Sequence, residues 1–193
     1  MTRIPEITRR EQLDPADRHH FDTIAAARGG DITAPFRYLL HVPGMAARMA
    51  HLTAWSRHES QADALPEAVR ELAILATARE TDCRFEWADH EQRALDAGVA
   101  ADTVARIKAG TAPAGLTAAD ALVVRYVQQL LNAPHRIDDA VFEALRARLS
   151  DRHLVELTAL IGMYAALACT FNAFDVAPTP GLPLLPPRSE AAA

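Results

Sequence analysis

Apolar positions recur along most of this chain at spacings of three and four, and almost nowhere in strict alternation. The first pattern lines one face of an α-helix; the second would line a strand. An all-α protein of about seven or eight helices is therefore expected. Asp14-Pro15 reads as an N-cap and first helical position, opening a helix to about Arg28 that Gly29-Gly30 ends. Pro35 and Pro43-Gly44 punctuate a short segment, Phe36–Val42, before a helix from Gly44 to His58. Leu65-Pro66-Glu67 opens the next, which runs to about Glu80, with Pro in the first turn and Glu favoured by the helix dipole. After a break at Thr81-Asp82 a helix runs to about Ala97, closed by Gly98. Ala101–Lys108 is a short helix, followed by a loop at Gly110–Gly115. Leu116–Asp120 has the look of an N-terminal cap, for a helix reaching about Asn132. Asp138–Leu149 follows, and Ser150 caps a last long helix to about Phe174.

The chain changes character at Pro178, where PTPGLPLLPP holds five prolines in ten residues. The expected organisation is one helical domain, residues 1–177, and an extended, polyproline-like tail, 178–193. The last helix, LVELTALIGMYAALACTF, is apolar nearly all round, which predicts deep burial in the core or against another subunit. Cys169 within it reads as core.

Composition agrees with the pattern and removes several function classes. The 193 residues include 40 Ala and 19 Arg, both good helix formers, while aromatics make up only 6%. A net charge of −5 with interspersed signs argues against nucleic acid or an anionic membrane as partner. Two cysteines are too few for a disulfide framework. The N-terminal stretch has no apolar h-region, and the apolar run Leu157–Ala168 is shorter than a membrane span, so a cytoplasmic protein is expected. The single lysine, Lys108, sits in polar ARIKAG, which disfavours Schiff-base chemistry. Ser56, Ser60, Ser150 and Ser189 lie in no GxSxG elbow, and the glycines form no nucleotide-binding loop. The histidines show no HxH or HExxH spacing; His51 and His58 could share a helix face near Cys83 and His90, but no metal is expected.

The chemistry concentrates in RELAILATARETDCRFEWADHEQRALDAG, residues 70–98. Cys83, Glu86 and His90 are spaced three, then four, and fall within about 60° of helical arc. Trp87 and Ala94 share that side, so the stripe faces inward. On the preceding helix Glu71 shares a face with Ile74, Leu75 and Ala78, which predicts a partly buried carboxyl usable in proton transfer. A short turn joins the two helices, so they pack as an αα-hairpin that can bring Glu71 to the stripe. The same residues also fit a hydrogen-bonded core pair beside a buried thiol that acts as a small hydrophobe.

This window resembles the carboxymuconolactone decarboxylase family, which includes the AhpD-like alkylhydroperoxidases. The similarity rests on Arg70-Glu71-Leu72, on Cys83 twelve residues after Glu71, on His90 seven after the Cys, and on Ala97-Gly98. The string Phe85-Glu86-Trp87-Ala88-Asp89-His90 looks like a variant of the family's central helix, and weaker similarity extends from Pro35-Phe36-Arg37 to Tyr164–Val176. The resemblance implies an AhpD-like helical bundle. It implies Glu71 as a proton relay, Cys83 as the first cysteine of the peroxidase branch and His90 as its histidine. That branch's second cysteine would fall at position 86, which is Glu86 here. The missing pair counts against disulfide cycling and brings the chain nearer the decarboxylase-like branch.

The implied reaction needs no cofactor. A γ-carboxymuconolactone loses carbon dioxide, its double bond moves, and a carbon is protonated. In that reading His90 is the general acid/base, Glu86 orients or charges it, Glu71 completes the relay and Cys83 lines the pocket. Arg37, Arg48 and Arg79 are candidate anchors for a substrate carboxylate, and Trp87 and Tyr164 candidate pocket walls. The expected partner is a small-molecule substrate, a carboxylic acid or lactone, in a homo-oligomer (dimer, trimer or hexamer) with the site near a subunit boundary. Two alternatives stand beside it: an AhpD-like peroxidase or thiol oxidoreductase using Cys83, and a non-catalytic oligomeric binding protein.

Overall fold

A computed structural model describes residues 2–56 and 63–187. Its described residues form nine α-helices and no strand: α1 Arg18–Ala26, α2 Ala34–Leu39, α3 Pro43–Ala54, α4 Glu67–Glu80, α5 Arg84–Asp96, α6 Ala101–Lys108, α7 Ala118–Leu131, α8 Asp139–Arg146 and α9 Asp151–Ala173. The protein is all-α, as the periodicity predicts. The ninth helix is α2, the short punctuated segment, which Pro35 starts within its first turn. Helix α1 begins four residues after Asp14, because Asp14–Asp17 closes a separate turn through Asp17 N–H to Asp14 O at 2.9 Å. Two expected caps form: Thr117 Oγ1 accepts from Asp120 N, and Ser150 Oγ from His153 N. Gly98 adopts φ +93° directly after α5, a left-handed stop that glycine takes without strain. His58, Ser60 and Ser189 lie outside the described residues.

The chain divides into two compact units, Met1–Asp63 with Ala173–Asp175, and Ala64–Asn172 with Val176–Ala193. In the first, α1 and α2 pack on α3 around Ile24, Phe36, Leu40, Ala46 and Ala50. The Arg28 guanidinium lies 4.2 Å over the Phe36 ring. The N-terminal segment is tied in by Ile7 N–H to Arg37 O and by Tyr38 Oη–H to Glu6 Oε1 at 2.7 Å.

In the second unit α4 packs against α5, α6 and α7. Every residue from Glu71 to Arg79 is buried, so α4 is a central helix with neighbours on all sides. Ala73, Ala76 and Ala78 leave room for those neighbours to come close. Helix α9, with 23 residues, is long and apolar enough to cross a membrane by length and composition, yet 56% of its apolar window is buried inside the protein, as in a core helix. Its burial is one-sided. Leu157, Ile161, Tyr164, Ala168 and Phe171 face in, while Val155, Gly162, Ala166 and Cys169 face out. Cys169 is thus exposed rather than core: it sits seven positions from Gly162, two helical turns along the same outer face. The buried Glu156 carboxylate accepts from Leu65 N–H at 2.9 Å and so anchors the approach to α4.

The proline-rich segment is seated in this unit as far as residue 187. Leu185 is 1% exposed. Arg79 Nη1 donates to Pro186 O at 2.8 Å and to Lys108 O at 3.2 Å, while Nη2 holds Asp82 in the α4–α5 turn. One buried guanidinium therefore clasps the tail, the end of α6 and the turn that starts α5. Leu185→Ala is expected to cost about 2–4 kcal/mol, the usual price of a buried leucine truncation. Urea denaturation measures it; an unchanged midpoint would mean that the tail is not seated.

Candidate active site

The α4–α5 hairpin turns at Thr81-Asp82, with Asp82 in the left-handed region at φ 52°. Cys83 follows as the N-cap of α5, and its N–H donates to Ala78 O at 2.8 Å, closing the end of α4 onto the start of α5. The tight connection sets the two helices side by side and fixes which of their faces meet.

At that meeting His90 is fully buried, with Glu71 5% and Glu86 4% exposed. His90 Nδ1 lies 2.7 Å from Glu71 Oε2. With Glu71 ionised, a carboxylate that only accepts, Nδ1–H is the donor in this contact. Glu86 Oε2 stands 3.6 Å from Nε2 and Asp89 Oδ2 3.8 Å from it. Tyr164 of α9 meets the imidazole edge to face, with ring centroids 5.2 Å apart. Phe85 stacks on Phe171 at 4.2 Å, fastening the start of α5 to the same helix. The imidazole is thereby held in orientation by a carboxylate on one nitrogen and an aromatic wall beside it.

Cys83 is buried, and loss of solvation, reinforced by the nearby Glu86 charge, pushes its thiol up to about 12. A thiol so placed stays protonated at neutral pH and is a poor nucleophile. Trp87, also fully buried, donates its indole N–H to Glu91, and the Lys108 ammonium lies 5.8 Å over its ring. Lys108 in turn pairs with Glu91 at 2.8 Å, so Trp87 joins α5 to α6.

The expected carboxylate anchors have other partners. Arg37 donates to Ile32 O at 2.8 Å and pairs with Glu6, and exposed Arg48 donates to Gly44 O at 2.7 Å; both belong to the first compact unit. Arg79 is the clasp described above. The cation that does stand beside the His90–Glu71 pair is Arg70, whose Nε is 3.6 Å from Glu71 Oε1. Its place was signalled by the Arg70-Glu71 step itself, a cation adjoining a buried carboxyl. His51 is exposed on α3, and among the described residues no group of three or more His, Cys, Asp or Glu is arranged to hold a metal ion.

The site is thus a buried imidazole braced by a carboxylate within a helical hairpin. The fold is AhpD-like. It is similar to a crystal structure of the alkylhydroperoxidase AhpD core, an uncharacterized peroxidase-related protein from Ralstonia eutropha JMP134, with TM-score 0.65, 17% identity and 93% of each chain covered. Residues 44–129, which carry α4, α5 and the whole Glu71–His90 constellation, match the carboxymuconolactone decarboxylase family, so the family resemblance is borne out over that stretch. Comparison with curated proteins gives no match.

The two thiols are expected to differ in reactivity. Iodoacetamide at pH 8 should label Cys169 and leave Cys83 untouched, read by mass spectrometry; rapid labelling of Cys83 in the folded protein would contradict its burial. Because the folded Cys83 thiol keeps its proton up to about 12 while the unfolded one releases it near 9, the unfolded state binds fewer protons between those values. Stability should therefore fall as pH rises through that window, and Cys83→Ala should remove this part of the decline.

Proposed function

We propose that this protein is a cofactor-independent acid–base enzyme, decarboxylase-like, acting on a small carboxylic acid or lactone of the γ-carboxymuconolactone type. The observation that supports the reading is the fully buried His90 with Nδ1 2.7 Å from Glu71 Oε2 and the Glu86 carboxylate 3.6 Å from Nε2. Decarboxylation breaks the bond between the substrate carboxylate and the ring. Its electron pair moves into the conjugated lactone, and carbon dioxide leaves. His90 Nε2–H then protonates the far carbon of the shifted double bond. Glu71 stabilises the imidazolium before transfer, and Glu86 keeps negative charge near the same nitrogen. Water is excluded by Tyr164, Trp87 and Cys83, which act as walls. The proton is regained from solvent between turnovers, so no redox partner enters the balance.

The residue at position 86 supports this reading over peroxidase chemistry, since a carboxylate there cannot form a disulfide with Cys83. The high thiol pKa of Cys83 supports it independently. The reading includes a cytoplasmic setting, in keeping with two free cysteines, and a homo-oligomer.

With γ-carboxymuconolactone as substrate, His90→Gln should lower kcat by about 10²–10⁴-fold, the range for losing a general acid–base group. Glu71→Gln should lower it less, and Cys83→Ala should retain turnover. Ultraviolet absorbance of the product follows the reaction. Full activity in His90→Gln would sink the proposal. Peroxide consumption that needs Cys83, with no lactone turnover, would favour the thiol reading instead.

A further inference from the structure

Arg70 occupies the first turn of α4, one residue before Glu71, and its side chain is 13% exposed. Its Nε is a buried donor with no hydrogen-bond partner, 3.6 Å from Glu71 Oε1 and so beyond bonding reach. Its Nη2 donates to Glu67 Oε1 at 3.1 Å. Glu67 itself is 68% exposed, and an exposed pair three residues apart on a helix holds weakly. Side-chain exposure therefore falls from Glu67 at 68% through Arg70 at 13% and Glu71 at 6% to His90 at 0%. A carboxylate on the solvent side already rests on a guanidinium that leans against the imidazole's partner. The amides of the same helical turn add positive potential.

We infer that Arg70 is the carboxylate-recognising residue of the His90 site. An incoming carboxylate displaces Glu67 and takes the planar Nε–Nη2 edge in a two-pronged contact, satisfying the buried Nε that the protein leaves unbonded. The ligand class is a small organic acid whose anionic end docks on Arg70 while its remaining carbons extend inward along Glu71. Glu67 is then a built-in competitor that occupies the guanidinium when no ligand is bound. This inference rests on the proposed acid–base reading for its place in a reaction, but the binding step stands on Arg70 alone.

The test is calorimetric titration of the full chain with cis,cis-muconate, and with hexanoate and dimethyl adipate as singly charged and uncharged probes. Muconate is expected to bind the wild-type protein and dimethyl adipate not to bind. Arg70→Gln should weaken muconate at least tenfold, and Arg70→Lys should fall between, since an ammonium lacks the planar fork. Glu67→Gln should tighten binding severalfold, a gain that a merely structural Arg70 would not produce. Circular dichroism checks folding, and Arg70→Lys and Glu67→Gln keep the test decisive if Arg70→Gln does not fold. Wild-type affinity in Arg70→Gln, weaker binding in Glu67→Gln, or no binding of any acid to the wild-type protein would overturn the inference. The same titrations in a His90→Gln background separate the two readings. Muconate affinity that still depends on Arg70 there upholds the anchor even if His90→Gln turns over normally and the proposed reaction falls.

Discussion

His90 and Glu71 are nineteen positions apart in the chain and meet at 2.7 Å, both buried. That contact constrains everything around it. It requires α4 and α5 to lie side by side in one register, which the turn at Thr81-Asp82 and the Cys83 N–H to Ala78 O bond impose. It also requires a central helix that tolerates a carboxylate among apolar neighbours. An imidazole and a carboxylate buried together are acceptable only when each satisfies the other, because either one alone would leave an uncompensated polar group in the core. Site and scaffold are therefore a single arrangement: loosening the hairpin would cost both stability and geometry.

The second unit reinforces the hairpin from several directions. Glu156 of α9 holds Leu65 just before α4, and Phe171 of the same helix stacks on Phe85 at the start of α5. Arg79 holds Asp82 in the intervening turn. Trp87, Glu91 and Lys108 join α5 to α6. These supports come from residues up to 107 positions away, such as Pro186, yet all of them act on the same two helices. Their convergence explains how a single lysine and a few arginines can position a site in a chain so rich in alanine.

Much of this was legible in the chain itself. The three-then-four spacing of Cys83, Glu86 and His90 puts them on one stripe, and proline, glycine and cap residues mark where most helices begin and end. Side-chain reach was harder to read. Arg79 looked like a substrate anchor, but its partners, Lys108 O and Pro186 O, are backbone carbonyls that no local pattern reveals. Arg70 enters the sequence reading only within the string Arg70-Glu71-Leu72, because the direction of a long side chain on the edge of a buried face is decided by packing. Cys169 looked like core because α9 is apolar on every side, a pattern that hides which face turns outward. Periodicity thus located the backbone and the short side chains of the site; it failed where long side chains or a uniformly apolar helix left the direction open.

The complete burial of His90 has a kinetic meaning. An imidazole with no exposed surface cannot meet a ligand unless a neighbouring side chain or helix end first moves aside. In the proposed reaction the frequency of such openings from the packed state would place a ceiling on turnover. Tight packing that excludes water also slows arrival and departure. The aromatic contacts that hold α5 to α9, Phe85 on Phe171 and His90 against Tyr164, thereby become a clock as well as a wall.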